Sequence, residues 1–283
     1  SFYIYIIISS YHYQYRCNLV EYLNLMKWHT KGKIRKVGEK MFNPPKNILI
    51  RFLILIVISL YVLFIYMDIY NKNLFTSSNK IKFISISLCF MISILTKKDS
   101  KNSKDISLLQ VGLLLTLMAD YIFLIYNKQF IIAIGLFSIV QILYFIRYKR
   151  NNIKQDIIKI LVIFSTILII YFFIYYFIIK IDFILAIGLF YAICLLMSIK
   201  AAIYSYKNRI YLSPNKEMIL IGMILFLLCD INVAIYDGID LMEKTSKICE
   251  SIEKISFLSI WIFYLPSQLL LSLSGYGCNP CNK

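Results

Sequence analysis

The sequence predicts an all-α membrane protein with eight transmembrane helices, and its composition is the first reason. Sixty per cent of the 283 residues are apolar, 16% are charged, and the mean hydropathy is +0.71. Soluble domains average about 45–50% apolar and about 25% charged residues. The net charge of +16 would suit nucleic acid on a soluble face, but the Lys and Arg residues fall in short segments between apolar runs. We therefore expect membrane lipids as partners, and no nucleic acid.

The second reason is the number of apolar runs that are long enough to span a membrane. A helix needs about 20 apolar residues to cross a hydrocarbon core about 30 Å thick. Eight runs approach or exceed that length, at residues 48–67, 82–96, 106–126, 130–147, 157–179, 181–203, 217–236 and 255–274. Ser213 and Pro214 supply an N-cap and a first helical residue for the seventh helix.

The segments outside these runs are short. We interpret residues 1–40 as a basic N-terminal extension, or as sequence upstream of a true start at Met26 or Met41. Residues 41–275 form the predicted eight-helix domain, and residues 276–283 form a short cytoplasmic tail. A lone C-x-x-C pair, Cys278 and Cys281, lies in that tail without a second pair or a nearby histidine, so we expect no metal there.

The distribution of positive charge predicts the orientation. Twenty Lys and Arg residues fall between residues 27 and 51 and in the segments after the second, fourth and sixth spans, Arg147 among them, whereas the intervening loops carry eight, Lys82 among them. Positive residues concentrate in cytoplasmic loops, and the strict alternation would fail if one span had been miscounted. Both termini are therefore expected in the cytoplasm. Because Ile, Lys, Asn, Tyr and Phe are abundant, as in AT-rich genomes, we expect a bacterial cytoplasmic membrane.

Two carboxylates lie inside predicted spans and not at their ends, Asp120 in the third and Asp230 in the seventh. An ionisable side chain in mid-membrane costs at least about 2.5 kcal/mol and marks a functional site by default. Each is preceded at eight residues by a glycine, Gly112 or Gly222. The segments GLLLTLMADYIFLIY and GMILFLLCDINVAIY align at an offset of 110 residues, which carries the third helix onto the seventh. This offset indicates a 4+4 parallel internal repeat with both aspartates at similar depth.

Six other polar side chains also lie within the predicted spans. They are Gln141, Tyr144, Tyr191, Asn232, Tyr264 and Gln268. Tyr264 and Gln268 are four residues apart and share a helix face, as do Gln141 and Tyr144 at a spacing of three. The two histidines, His12 and His29, precede the first span, which argues against a Ser-His-Asp triad or a His-ligated metal in the membrane. Any chemistry in the core falls to carboxylates, and we expect no cofactor.

Five segments in order complete a familiar pattern: GLLLTLMADYIFLI, GLFSIVQILYFIRY, YAICLLMSIKAAIY, GMILFLLCDINVAIYDG and FYLPSQLLLSLS. Over roughly residues 48–274 the chain resembles the YhhN family, whose members include the vertebrate lysoplasmalogenases. The resemblance places the family's two membrane aspartates at Asp120 and Asp230, its last-helix tyrosine and glutamine at Tyr264 and Gln268, and its fourth-helix aromatic residue at Tyr144. Two positions depart from the family pattern, Ala119 in place of glycine and Gln141 in place of a frequent histidine.

The resemblance implies hydrolysis of the vinyl ether bond of a lysoplasmalogen, with a lysophospholipid as substrate and a fatty aldehyde as product. Such cleavage begins when an acid protonates the β-carbon, and water then captures the oxocarbenium ion. Burial disfavours the charged form of a carboxyl group, so Asp120 and Asp230 are the expected catalytic pair, one as acid and the other as base or stabiliser. The expected substrate-binding residues are Gln141, Tyr144, Asn232, Tyr264 and Gln268.

Two other classes of function fit the same residues. A small proton-coupled transporter or lipid-binding permease would also carry carboxylates inside the membrane and internal repeats. In a purely structural interpretation, each aspartate is a buried group hydrogen-bonded to a neighbouring helix. Release of a product would distinguish an enzyme from a transporter. A loss of function when the aspartates are neutralised would distinguish both of these from the structural interpretation.

Overall fold

The computed structural model describes residues 48–70, 76–96, 103–149, 153–241 and 247–276. The chain divides into two units, residues 1–46 and residues 47–283. The first unit, which contains the expected basic extension, lies outside the described residues, and so does the C-x-x-C pair of the tail. The fold described below is that of the second unit.

The described residues of this unit form eight long helices, and the predicted fold class is confirmed. They are α1 (Ile48–Tyr70), α2 (Ser78–Thr96), α3 (Ser103–Tyr121), α4 (Phe130–Lys149), α5 (Ile153–Phe177), α6 (Phe183–Lys207), α7 (Asn215–Leu241) and α8 (Lys247–Leu273). A π-helical turn, Ile122–Tyr126, extends α3. All eight are long and apolar enough to cross a membrane. The chain is therefore an integral membrane protein by length and composition.

Three details of the predicted spans are wrong. The second helix begins at Ser78, four residues before the predicted start, so Lys82 lies inside α2 and is buried, not in a loop. Arg147, which the charge pattern also assigns to a loop, lies within α4 and is 1% exposed. The seventh helix begins at Asn215, so Pro214 lies just before the helix and is not its first residue. In the first two cases a partner inside the bundle compensates the charge that sequence alone places outside.

The helix α8 lies at the centre of the bundle and carries a proline in its last third. It packs against α1, α2, α3 and α7. Pro266 has no N–H and frees the carbonyl of Ile262 one turn earlier, and in hydrocarbon a freed carbonyl needs a partner from the protein. The Tyr61 hydroxyl of α1 donates to that carbonyl at 3.2 Å. This bond ties α1 to the part of α8 that carries Tyr264.

Glycines at two positions allow neighbouring helices to approach closely. A Cβ atom on Gly112 of α3 would lie 2.8 Å from the Tyr144 ring of α4. A Cβ atom on Gly222 of α7 would lie 3.0 Å from Leu271 of α8, and the Ser267 hydroxyl donates to the Gly222 carbonyl at 2.8 Å. Small residues are what membrane helix interfaces use for such approach. The two glycines that precede the aspartates are thus packing positions.

A buried ion pair joins four segments at one end of the bundle. The Arg147 guanidinium of α4 donates twice to Oδ2 of Asp105 in the first turn of α3, at 3.1 Å each. It also donates to the Ser274 hydroxyl just after α8, at 3.0 Å. The Tyr211 hydroxyl, between α6 and α7, lies within hydrogen-bonding distance of both Asp105 and the Arg147 carbonyl. We call these four residues, Asp105, Arg147, Tyr211 and Ser274, the arginine cluster.

Replacing Arg147 with methionine keeps most of the side-chain volume but leaves Asp105 buried without its cation. We expect the free energy of unfolding to fall by about 3–5 kcal/mol, the usual cost of breaking a buried pair. The measurement is thermal unfolding in detergent. Unfolding is monitored by the labelling of three cysteine thiols that are buried in the folded protein, Cys89, Cys194 and Cys229.

Lys207→Met, in the exposed last turn of α6, is the control. We expect it to change stability by no more than about 0.5 kcal/mol, as exposed substitutions do. Equal melting temperatures for Arg147→Met and the wild type would contradict a stabilising role for the arginine cluster.

Candidate functional site

Asp120 lies in the last turn of α3 and is 4% exposed. The Tyr264 hydroxyl of α8 lies within hydrogen-bonding distance of both carboxyl oxygens, at 2.9 and 2.8 Å. The π-helical turn begins two residues after Asp120, and such turns occur frequently at functional sites. The turn ends at Asn127, which adopts a left-handed conformation with φ of 52°. Asp120 therefore sits where the regular helix ends, enclosed by the bundle and held by one tyrosine.

Asp230 lies in the middle of α7 and is only partly buried. Its Oδ2 accepts a hydrogen bond from the Tyr191 hydroxyl of α6 at 2.5 Å. Tyr191 in turn interacts with the Gln141 side chain of α4. The Gln141 Oε1 accepts from the Ser198 hydroxyl at 2.7 Å. The second carboxyl is thus held by a tyrosine of α6, and a polar side chain of α4 lies next to that tyrosine.

Aromatic rings connect the two Asp–Tyr pairs. The rings of Tyr191, Phe137, Phe226 and Tyr264 follow one another with centroid distances of 6.2, 6.3 and 5.8 Å. The buried Cys229 thiol lies close enough to interact electrostatically with both carboxyl groups. Each carboxyl is hydrogen-bonded to a tyrosine, and two phenylalanines stand between the tyrosines. The two acids therefore share one neighbourhood but occupy different environments.

A buried ammonium group lies next to the first pair. Lys82 of α2 forms an ion pair with Asp68 of α1 at 2.8 Å, and both side chains are at most 5% exposed. The Lys82 Nζ lies 4.5 Å from the centroid of the Trp261 ring, which packs edge-on against Tyr264 at 5.6 Å. A cation over an aromatic face is favourable, by about 2 kcal/mol when desolvated. Lys82 thereby supports the ring that supports Tyr264.

Three other predicted site residues lie on α4, α7 and α8. Tyr144 packs against Gly112 and beside Thr116 of α3, with its hydroxyl fully buried. Gln268 lies one turn beyond Tyr264 on α8 and is 0% exposed. Asn232 donates to the Leu228 carbonyl of its own helix at 2.7 Å. The assignment of these residues to substrate binding stays a prediction.

Sequence reasoning did not include three residues that the structure brings to the site. Tyr191 was visible as a polar group within a span, but the chain has 23 tyrosines and nothing in one sequence singles out the one that meets Asp230. Thr116, one turn before Asp120, carries no charge to attract notice. Lys82 was assigned to a loop. Thr116 precedes Asp120 by one helical turn, and this spacing is a sequence signal that could have identified it.

Among the residues that the structure describes, no three or more His, Cys, Asp or Glu side chains come together as a metal site. The polar atoms near the two aspartates belong to hydroxyls, amides, one thiol and the Lys82 ammonium group. This set of groups suits hydrogen bonding and proton transfer. The expectation that the protein uses no cofactor stays a prediction.

Comparison with known proteins identifies a family. No curated protein and no solved structure matches the chain. The family model described as the YhhN family matches residues 78–275, which is more than half of the sequence and includes both aspartates and helices α2–α8. The match agrees with the resemblance carried by the five segments. The chain belongs to the YhhN family.

Proposed function

We propose that this protein is a membrane-embedded hydrolase that cleaves the vinyl ether bond of lysoplasmalogens. The observation that carries the proposal is a pair of carboxyl groups within membrane-spanning helices, Asp120 and Asp230, each hydrogen-bonded to a tyrosine from another helix. Membership in the YhhN family supports it, since the family is associated with lysoplasmalogenase activity. The substrate is a single-chain lysophospholipid that enters from the bilayer, and no nucleic acid is involved.

The proposed reaction needs one acid, one water molecule and one base. The acid gives its proton to the β-carbon of the alkenyl chain, and the vinyl ether becomes an oxocarbenium ion. Water adds to the α-carbon and loses a proton to the base, which gives a hemiacetal. In the last step the hemiacetal hydroxyl gives its proton to the carboxylate that acted as the acid, and the group that acted as the base protonates the glycerol oxygen as the carbon–oxygen bond breaks. The fatty aldehyde and glycerophospho-ethanolamine or -choline then leave. One water is consumed and both carboxyl groups regain their starting protonation, so the proposed reaction needs no cofactor.

The environments of the two aspartates favour different roles. Asp230 is partly exposed and has one oxygen held by Tyr191, so it is the carboxyl that a lipid entering from outside the bundle reaches first. Asp120 is enclosed and has both oxygens beside Tyr264. We therefore assign proton donation to Asp230, and stabilisation of the cation together with activation of water to Asp120. Burial disfavours the charged form of Asp120, but the hydrogen bond from Tyr264 favours its carboxylate. The negative charge of Asp120 in turn favours the protonated form of Asp230. Gln141, through Tyr191, orients the acid.

Replacing either aspartate with asparagine removes a proton-transfer group with almost no change in shape. We expect Asp120→Asn and Asp230→Asn each to lower kcat by about 10²–10⁴-fold, the usual contribution of general acid or base catalysis. The assay is release of fatty aldehyde from a lysoplasmalogen by the purified protein in detergent.

The matched control is Asp182→Asn. Asp182 caps α6 by accepting from the N–H of Ile184, and asparagine is an equally good N-cap, so activity and melting temperature are expected to stay at the wild-type level. Full aldehyde release by Asp230→Asn would rule out its role as acid. Uptake of the lipid into proteoliposomes without aldehyde would favour a transporter.

The two tyrosines are expected to position their carboxyl groups. Tyr191→Phe and Tyr264→Phe each remove one hydrogen bond, of a kind worth about 1.5–3 kcal/mol when the acceptor is charged. We expect each change to lower kcat roughly 10- to 100-fold with a smaller effect on KM.

Tyr204→Phe, on the exposed side of α6, is the control and is expected to retain wild-type kinetics. A loss confined to KM in Tyr191→Phe would contradict the positioning role, because it would indicate a contact with the substrate alone.

We also propose that the protein lies in a bacterial cytoplasmic membrane with both termini in the cytoplasm. Cys249 lies near the start of α8 and is partly exposed. In variants that retain a single cysteine, we expect a membrane-impermeant maleimide added to intact cells to label Cys249 and not Cys281. Labelling of Cys281 before lysis would reverse the proposed orientation.

A further inference from the structure

The interface between α3, α4 and α8 contains several buried polar atoms that have no hydrogen-bond partner among the described residues. They are Thr116 Oγ1, Tyr144 OH, Tyr148 OH, and both Oε1 and Nε2 of Gln268. All four side chains are 0% exposed. A buried polar group without a partner costs about 1–3 kcal/mol, and such groups are rare in native proteins. So many at one interface indicate a polar ligand that the protein is built to hold.

These atoms follow one another between Asp120 and the arginine cluster. Thr116 lies one turn before Asp120 on α3, and Tyr144 packs against α3 at Gly112, a further turn away. The Tyr148 ring stacks on the Tyr144 ring at 6.1 Å between centroids. The Arg147 guanidinium lies 5.6 Å from the centroid of the Tyr148 ring. The hydroxyls therefore form a column along α3 and α4.

The fourth of these buried polar side chains lies on α8, which packs against α3. Gln268 lies one turn beyond Tyr264, which holds Asp120. Ser274, six residues after Gln268, accepts from Arg147 in the arginine cluster. Gln268 thus stands between the same two ends as the hydroxyls of α3 and α4. We call Thr116, Tyr144, Tyr148 and Gln268 the polar column.

The spacing within the polar column suits a small ligand that both donates and accepts. The Tyr144 side chain interacts with Thr116, and that of Tyr148 with Arg147, yet neither hydroxyl reaches hydrogen-bonding geometry. Polar contacts that are slightly too long for a direct bond are commonly bridged by water. A buried water makes about three hydrogen bonds to otherwise unsatisfied polar groups. The hydroxyls and the amide of the column provide such donors and acceptors.

We propose that the polar column binds a file of water molecules that connects the arginine cluster to Asp120. The water file supplies the water that the hydrolysis consumes, a role that rests on the proposed function. Asp120 and Tyr264 then meet water from one direction, and Asp230 and Tyr191 meet the lipid from another. The separation keeps bulk water out of the apolar surroundings of the alkenyl chain.

Hydroxyl-radical footprinting of the full chain in detergent tests the water file without reference to activity. X-ray radiolysis of bound water produces hydroxyl radicals at the position of that water. A side chain that has no access to solvent is therefore still oxidised if it lies beside ordered water. We expect oxidation of Tyr144 and Tyr148, normalised to the same residues in the unfolded chain, to exceed that of Phe64 and Phe190. Phe64 is 0% and Phe190 is 9% exposed. Oxidation of both tyrosines no higher than that of Phe64 would overturn the proposal.

Thr116→Val, which replaces a hydroxyl with a methyl group of the same shape, tests the supply of water. We expect the oxidation of Tyr144 to fall and kcat to drop about tenfold with KM unchanged, the effect of one ordinary hydrogen bond. Thr166→Val, on the exposed side of α5, is the matched control. Unchanged kcat together with lost oxidation would overturn the supply role. A wild type that releases no aldehyde, yet shows oxidised tyrosines, would reject the proposed function and keep the water file.

Discussion

The guanidinium group of Arg147 is fully enclosed, and the segments that meet around it do so because that charge has to be compensated within the protein. Hydrocarbon offers neither counter-ions nor hydrogen bonds, and an uncompensated buried charge costs several kcal/mol. Asp105 supplies the negative charge, while Tyr211 and Ser274 complete the hydrogen bonding. The start of α3, the end of α4, the α6–α7 connection and the end of α8 are thereby fixed to one another.

That constraint reaches the site through the rigidity of the helices. Because α3 and α8 are fixed at one end, their relative depth and rotation are set where Asp120 meets Tyr264. The proline in α8 adds a second fixed point, since Tyr61 of α1 holds the carbonyl that Pro266 frees. The Lys82–Asp68 pair provides a third, on the far side of Trp261. The candidate site lies between these anchors, and its polar groups do not have to stabilise the bundle themselves.

The two aspartates resemble each other in sequence more than in surroundings. Each has a glycine eight residues earlier, and both glycines lie at close helix contacts, α3 with α4 and α7 with α8. Their hydrogen bonds break the correspondence, because Asp120 is paired with α8 and Asp230 with α6. The 4+4 repeat stays a prediction. Different partners and different exposure are nevertheless what an acid–base pair requires, since two identical carboxyls would have no reason to differ in protonation.

Much of this protein followed from the sequence by itself. The number of helices, their approximate bounds and the two membrane aspartates are local properties, because hydropathy over about 20 residues decides whether a helix spans and a carboxylate within such a run is conspicuous. The tyrosine and glutamine of the last helix were found through the resemblance to the family and through their shared face. No long-range information was needed for any of these predictions.

Only the tertiary structure decided which groups meet. Arg147 and Lys82 are ordinary loop charges by sequence, and they are buried because Asp105 and Asp68 face them from other helices. Tyr191 is one tyrosine among 23 until the packing of α6 on α7 brings it to Asp230. The polar column likewise could not be predicted from the sequence, because Thr116, Tyr144 and Gln268 come from three different helices. Hydropathy determines which segments enter the membrane, whereas the pairing of polar groups depends on helix rotation and contact, which a single sequence does not record.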